Sequence, residues 1–229
     1  AGMVDFSCNT LVNYNGTWWK VENGKICLNS NTVTEFNGSW WKITNGRVDF
    51  DFSGLAENAY GWWKITNGQV DFGYVGYEQN GSNWWYVYGG QVCFQATDVL
   101  PGTVGGQYGW WKVCEGKVNF DDDVCENAYG WWKITTGKVD FQYTGLAQNA
   151  CGWWMIQNGH VNFGSNGLVD NGNGWWLVKN GGVDFNYNGL VDNGNGWWLV
   201  KNGCVDFSYQ GYVQNECGVW WVSNGQVQF

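Results

Sequence analysis

The chain has 229 residues, a formal net charge of −9, 20 tryptophans, 36 glycines and one proline. An acidic chain with no Lys/Arg cluster is a poor partner for nucleic acid or an anionic membrane surface, and no apolar run approaches the roughly 20 residues that span a bilayer. The wealth of Trp, Val and Ile excludes a disordered composition.

In chain order, the first segment, Ala1-Gly2-Met3-Val4-Asp5-Phe6, carries no signal peptide and starts in mid-repeat, because Val4-Asp5-Phe6 matches Val70-Asp71-Phe72. The chain therefore reads as a piece of a longer secreted protein. A unit typified by Gly61 to Phe72 then recurs ten times. With its first aromatic position as slot 0, the copies begin at Trp18, Trp40, Trp62, Trp84, Trp110, Trp131, Trp153, Trp175, Trp197 and Val219. The spacing is 22 residues except for one of 26 and one of 21, which flank Trp110. Repetition at this period predicts a single array over 1–229 in which each unit contacts mainly its neighbours, with an irregular centre at 95–126.

Slot +1 is always Trp, slots +3 and +8 are Val or Ile, +10 is Phe except for Leu28, and +6 is always Gly. Asn-Gly between two β-branched, aromatic runs signals a hairpin, because a type I′ turn needs positive φ at both central residues. Centred on Asn67-Gly68, the turn sets Thr66 opposite Gln69, Ile65 opposite Val70, Lys64 opposite Asp71 and Trp63 opposite Phe72. Alternation then places Trp63, Ile65, Val70 and Phe72 on one apolar face, and Trp62, Lys64, Thr66, Gln69 and Asp71 on the other. Lys64–Asp71 recurs as Lys42–Asp49 and Lys133–Asp140, a cross-strand charge pair. A return loop such as Tyr143-Thr144-Gly145-Leu146 follows each hairpin. Since a lone hairpin is marginal in water, the apolar faces should stack. The expected fold is all-β, a repeat solenoid of about ten β-hairpins with the second Trp of each pair inside.

The first Trp falls on the polar face. In the last copy, Val219-Trp220-Trp221, the core Trp220 is kept and the outer Trp moves two places along the same face. Two compatible readings follow. Each outer Trp packs under the return loop or the next hairpin, or Trp18, Trp40, Trp62, Trp84, Trp110, Trp131, Trp153, Trp175, Trp197 and Trp221 form a row of binding platforms.

Cys8, Cys27, Cys93, Cys114, Cys125, Cys151, Cys204 and Cys217 make an even set without the CxxC pairs of zinc sites, so disulfides are expected over metal. Sequential pairing, Cys8–Cys27, Cys93–Cys114, Cys125–Cys151 and Cys204–Cys217, would staple neighbouring repeats. The single His160 occupies a variable slot +7, a shoulder position that offers no partner for a catalytic triad. Asp121-Asp122-Asp123 lacks calcium-loop spacing, and Asp170 to Gly174 with its copy Asp192 to Gly196 read as turns. Nothing here points to an enzyme, a metal or a cofactor.

The order Gly61, Trp62-Trp63, Asn67-Gly68, Phe72 and Gly76 resembles the cell-wall-binding repeat superfamily, which includes choline-binding modules, glucan-binding repeats and clostridial toxin receptor-binding repeats. The likeness covers essentially the whole chain and extends to Trp-Trp repeats on surface proteins of Gram-positive gut anaerobes. It implies a hairpin solenoid and, in the choline-binding relatives, aromatic cages around a quaternary ammonium. In this chain Val70-Asp71 replaces the tyrosine pair of the second strand. The leading expectation is a secreted or wall-associated, non-catalytic surface module that recognises glycan or cell-wall polymer multivalently through outward Trp rows. A host-protein adhesin or immunoglobulin-binding array, using Ala96 to Tyr108 and the Cys-bearing centre, is the alternative. A structural spacer is a third.

Overall fold

The computed structural model describes residues 5–229; Ala1–Val4, and the expected start in mid-repeat with them, lie outside the described residues. The chain divides into two compact units, Ala1–Asn119 and Phe120–Phe229. Fifteen strands, Thr10–Tyr14 to Lys117–Val118, lie in the first unit and fifteen more, Asp123–Asn127 to Gln226–Val227, in the second. Among the described residues no helix is long and apolar enough to cross a membrane.

Each repeat is three antiparallel strands. In the third copy, Gly54–Asn58 pairs with Gly61–Thr66, which pairs with the two-residue strand Gln69–Val70. Ile65 faces Val70 and Thr66 faces Gln69, as the Asn-Gly turn requires. Asn67 and Gly68 have φ of 48° and 78°, the signature of type I′. The expected return loop is corrected: Gly145 and Leu146 already belong to the strand Gly145–Asn149. Tyr143 Oη donates to the Leu146 carbonyl at 2.7 Å, bracing the corner that leads into that strand.

The Asn-Gly turn also joins one repeat to the last. The Gly68 N–H donates to the Phe52 carbonyl at 2.9 Å, and the Gly68 carbonyl accepts from the Lys42 N–H at 2.8 Å. Slot +7 then lies beside the inner Trp of the preceding repeat: Trp41↔Gln69 and Trp63↔Gln91 in the first unit, Trp132↔His160 and Trp176↔Cys204 in the second. Slot +3 forms the middle of each stack. Ile43, Ile65, Val87 and Val113 in one unit, and Ile134, Ile156, Val178, Val200 and Val222 in the other, are almost wholly buried. Each such side chain contributes about 1.5–3 kcal/mol.

Phe72, expected inside, is half-exposed, as are Phe50, Phe94, Phe141, Phe163, Phe185 and Phe207. The third strand ends at slot +8, and a turn closed by Tyr74 N–H to the Asp71 carbonyl follows at once. Strand alternation therefore stops before slot +10. Lys and Asp do lie opposite one another, Asp71 N–H donating to the Lys64 carbonyl at 2.9 Å, but their side chains form no ion pair. Lys64 reaches Glu78 of the next repeat at 2.8 Å and Lys133 reaches Asp122 at 3.3 Å. Asp49 and Asp140 instead accept from Thr44 and Thr135. Lysines two slots further on do meet the aspartate, in Lys179–Asp184 and Lys201–Asp206, both 2.9 Å.

Both spacing irregularities have simple causes. The extra four residues before Trp110 add two rungs to one hairpin tip, Thr103↔Tyr108 and Val104↔Gln107, so Ala96 to Tyr108 is a regular, longer hairpin. The missing residue falls between the strands Lys117–Val118 and Asp123–Asn127. Asp122 there accepts from the Thr136 N–H at 2.7 Å as well as from Lys133.

No disulfide joins any of the eight cysteines, which corrects the stapling expectation. In a stack, slot rather than sequence separation decides which side chains meet, and the two members of each supposed pair occupy different slots. Cys204 lies beside Trp176, Cys114 faces Lys117, and Cys125 faces Trp132. Cys151 and Cys217 are exposed at hairpin tips, their N–H groups bonded to Asn149 and Asn215.

Candidate functional site

Stacking brings three aromatic slots together at the junction between repeats: slot 0 of one copy, and slots +1 and +10 of the next. Trp40 meets Trp63 at a ring-centroid distance of 4.9 Å and Phe72 at 6.2 Å. Trp62 meets Trp85 at 5.2 Å and Phe94 at 5.7 Å. In the second unit, Trp131 meets Trp154 and Phe163 at 5.3 and 6.3 Å, and Trp175 meets Trp198 and Phe207 at 4.8 and 5.5 Å. The rings incline by 50° to 87°, forming aromatic corners. Tilted and edge-on pairs of this kind add about 0.5–1.5 kcal/mol each beyond area burial.

At two junctions the same slots line a hollow. Trp18, Trp41 and Phe50, with Leu11, Phe36 and Val48, surround about 200 Å³. Trp153, Trp176 and Phe185, with Leu146, Asn171 and Val183, surround about 80 Å³.

The remaining outer residues divide by environment. Trp84 packs against the cluster of Tyr77, Val104, Trp111, Val113 and Val118, and Trp197 against Leu190, Leu199, Val222 and Val227. Trp110 is half-buried opposite Pro101. Trp221 is exposed, its ring 5.0 Å from Tyr212. The other nine outer indoles are all half-buried, so packing and partial exposure coexist at each. Sequence reasoning missed Trp41, Phe50, Trp176 and Phe185 as wall residues because it assigned slots +1 and +10 to the core. The Trp-Trp doublet, present at slots 0 and +1 in nine of the ten copies, was the available signal, since only an offset stack lets both members meet across a junction.

Slot +7 shows what these indoles accept. Arg47 lies over Trp19 at 4.6 Å, Lys117 over Trp85 at 5.4 Å, and His160 stands edge-on to Trp132 at 5.0 Å. His160 is therefore half-buried against an indole rather than a bare shoulder residue. The indoles that wall the two hollows have neutral neighbours in this slot, Gln69 beside Trp41 and Cys204 beside Trp176. Burial raises the Cys204 thiol pKa, which keeps it uncharged.

Hairpin tips set the indole hydrogen bonds. Asn58, Asn127, Asn149 and Asn215 accept from Trp63, Trp132, Trp154 and Trp220 Nε1 at 2.9–3.0 Å. At the Asp170–Gly174 and Asp192–Gly196 tips, Asn171 and Asn193 accept from Asn173 and Asn195 N–H groups instead. Trp176 and Trp198 Nε1 are left buried without a partner. Among the described residues no group of His, Cys, Asp or Glu could hold a metal ion.

The choline-binding repeat family model matches residues 8–27, 29–49, 51–71, 142–162, 164–184 and 186–206, more than half of the chain. Each match spans one three-strand repeat. Solved structures that superpose on the chain include CbpJ from Streptococcus pneumoniae TIGR4, at 14% identity over 96% of this chain and 87% of that one, with TM-score 0.35. Choline binding protein F from Streptococcus pneumoniae gives 13% identity over 96% and 92%, also with TM-score 0.35. The modular autolysin LytC of Streptococcus pneumoniae gives 12% identity over 96% and only 53%, with TM-score 0.36. No curated protein matches. The family match carries the assignment.

Proposed function

Because the chain belongs to the choline-binding repeat family, we propose that it is a non-catalytic surface module that grips a cell-wall polymer through quaternary ammonium groups. The observation that carries this reading is the pair of hollows at Trp18/Trp41/Phe50 and Trp153/Trp176/Phe185. Both are walled by three aromatic slots. Elsewhere in the first unit the inner indoles Trp19 and Trp85 already hold cations of the chain's own. A trialkylammonium group suits such a hollow because its charge is spread over methyl surface, which makes it cheap to desolvate and attractive to ring faces. The net charge of −9 favours the approach of a cationic ligand.

Three rings at about 0.5–2 kcal/mol each put a single site near the 4 kcal/mol that corresponds to a Kd of about 1 mM. Binding this weak becomes useful when repeated along a polymer that carries many such groups, since the second contact is then intramolecular. Residence outside the cell, at the wall, follows from that partner and belongs to the same proposal.

Choline titration followed by tryptophan fluorescence tests it. Saturation in the millimolar range is expected, with the Trp18→Ala and Trp153→Ala variants each losing one site while retaining the wild-type circular dichroism. Choline should also release the protein from sedimented Gram-positive cell walls. Absence of any saturable response to choline would overturn the reading.

A further inference from the structure

A second kind of recess in the first unit opens beside an aromatic corner and shares Trp62 with it. It is an open recess of about 330 Å³ lined by Asn31, Lys42, Phe52, Leu55, Ala56, Glu57, Trp62 and Asn80. Trp62 and Phe52 are the two aromatic rings in its lining, and the Trp62 indole is held by Trp85 and Phe94 and by donation from Nε1 to Glu57 Oε2 at 3.0 Å. Lys42 Nζ donates to the Ile43 carbonyl at 2.7 Å and lies 5.4 Å from the Phe52 ring centre. An ammonium has three donors and no acceptor, so two N–H groups remain for other partners. A carboxylate has four lone-pair sites, so Glu57 likewise keeps acceptor capacity beyond the indole. The Asn80 amide supplies both kinds of group at the rim. Desolvation lowers the Lys42 pKa, in keeping with an ammonium half withdrawn from water.

The equivalent recess one repeat earlier provides a comparison within the same unit. It encloses about 260 Å³ and is lined by Asn9, Thr10, Lys20, Val21, Glu22, Asn23, Thr34 and Glu35. Its lysine is occupied: Lys20 Nζ pairs with Glu22 at 2.6 Å and donates to Ser30 Oγ at 3.3 Å. It has no aromatic wall. The combination of an indole platform with uncommitted donors and acceptors thus sets the Lys42 recess apart from its counterpart at Lys20.

We infer that the recess between Lys42 and Trp62 is a saccharide-binding subsite. A pyranose ring has an apolar C–H face that suits an indole, and a rim of hydroxyls, each able to donate and accept. That rim matches Lys42 and Asn80 as donors and Glu57 as acceptor. A free anion is disfavoured by Glu57, and a cation by Lys42, so the neutral, hydroxyl-rich ligand is the one both charges accept. The volume sits at the low end of small-molecule sites, room for about one or two sugar rings. The subsite is independent of the cation reading above and would let one unit hold both a sugar and a charged substituent of the same polymer.

The test is a titration of the full chain with methyl β-glucopyranoside and with N,N′-diacetylchitobiose, followed by amide and indole NMR shifts. At least one sugar is expected to saturate in the millimolar range, moving the Trp62 indole signal. Lys42→Met, which keeps the aliphatic stem, and Asn80→Ala, at an exposed tip, should each weaken that response several-fold; Trp62→Ala should abolish it. Saturating choline and Trp18→Ala should leave it unchanged, so loss of choline binding and loss of sugar binding are separately read. If neither sugar produces a saturable shift, or if Lys42→Met and Asn80→Ala both bind as the wild type does, the subsite does not exist.

Discussion

Replacing Gly68 with alanine isolates the force that joins repeats. A Cβ at Gly68 would lie 2.5 Å from the Asp49 carbonyl oxygen and 2.7 Å from the Phe50 Cα, both main-chain atoms that cannot rotate away. Gly38 has nearly the same backbone, φ +77° against +78°, but a Cβ there meets nothing within 4 Å. Gly38→Ala therefore incurs only the left-handed conformational cost, about 1–2 kcal/mol. Gly68→Ala incurs that cost and also displaces two inter-repeat hydrogen bonds, Gly68 N–H to Phe52 and Lys42 N–H to Gly68. At about 0.5–1.5 kcal/mol each, these bring its total to roughly 2–5 kcal/mol. For a unit the size of Ala1–Asn119, 1 kcal/mol corresponds to about 4 °C in midpoint. Thermal unfolding followed by circular dichroism and tryptophan fluorescence should show Gly38→Ala about 4–8 °C below wild type and Gly68→Ala about 8–20 °C below. Equal shifts for the two variants would refute the claim that turn glycines are selected by contact with the preceding repeat.

Other outcomes follow from the same geometry. Thr136 is a β-branched residue at φ +49° in the turn position that Asn holds in seven of the ten copies; Thr136→Asn should stabilise by about 1 kcal/mol, read as a higher urea midpoint. Ile65→Ala, at a wholly buried position, should cost about 2–5 kcal/mol, whereas Phe72→Ala, half-exposed, should cost clearly less in the same assay. Dithiothreitol should leave the thermal midpoint unmoved, and Cys151 and Cys217 should react first with a thiol reagent. The Thr136 N–H bond, followed by the Lys133 charge, lowers the Asp122 pKa. Its stabilising contribution is thus complete above the ordinary carboxylate value near 4 and is lost as pH falls through the lower folded value. Asp122→Asn should flatten that acid limb of the pH–stability curve.

Sequence periodicity settled the repeat, the type I′ turn and the strand register, because these depend on residues fewer than about ten positions apart and on side-chain alternation alone. It therefore placed Ile65 opposite Val70 correctly, and it showed that the first Trp of each pair lies across the strand from the second. It could not say where slot 0 of one repeat comes to rest on the next. That offset is set by the main-chain bonds of the turn glycine to the preceding repeat, and it makes Trp40, Trp63 and Phe72 one corner and Trp18, Trp41 and Phe50 the wall of a hollow. The offset also explains the two misreadings. Cysteines about one repeat length apart sit in different slots and never face one another, and slot +10 falls past the end of a two-residue strand, outside the alternation that would have buried its phenylalanine. Local pattern determined the unit, while the tertiary structure decided which units' side chains meet, because that depends on close main-chain contact between residues whose pairing no periodicity encodes.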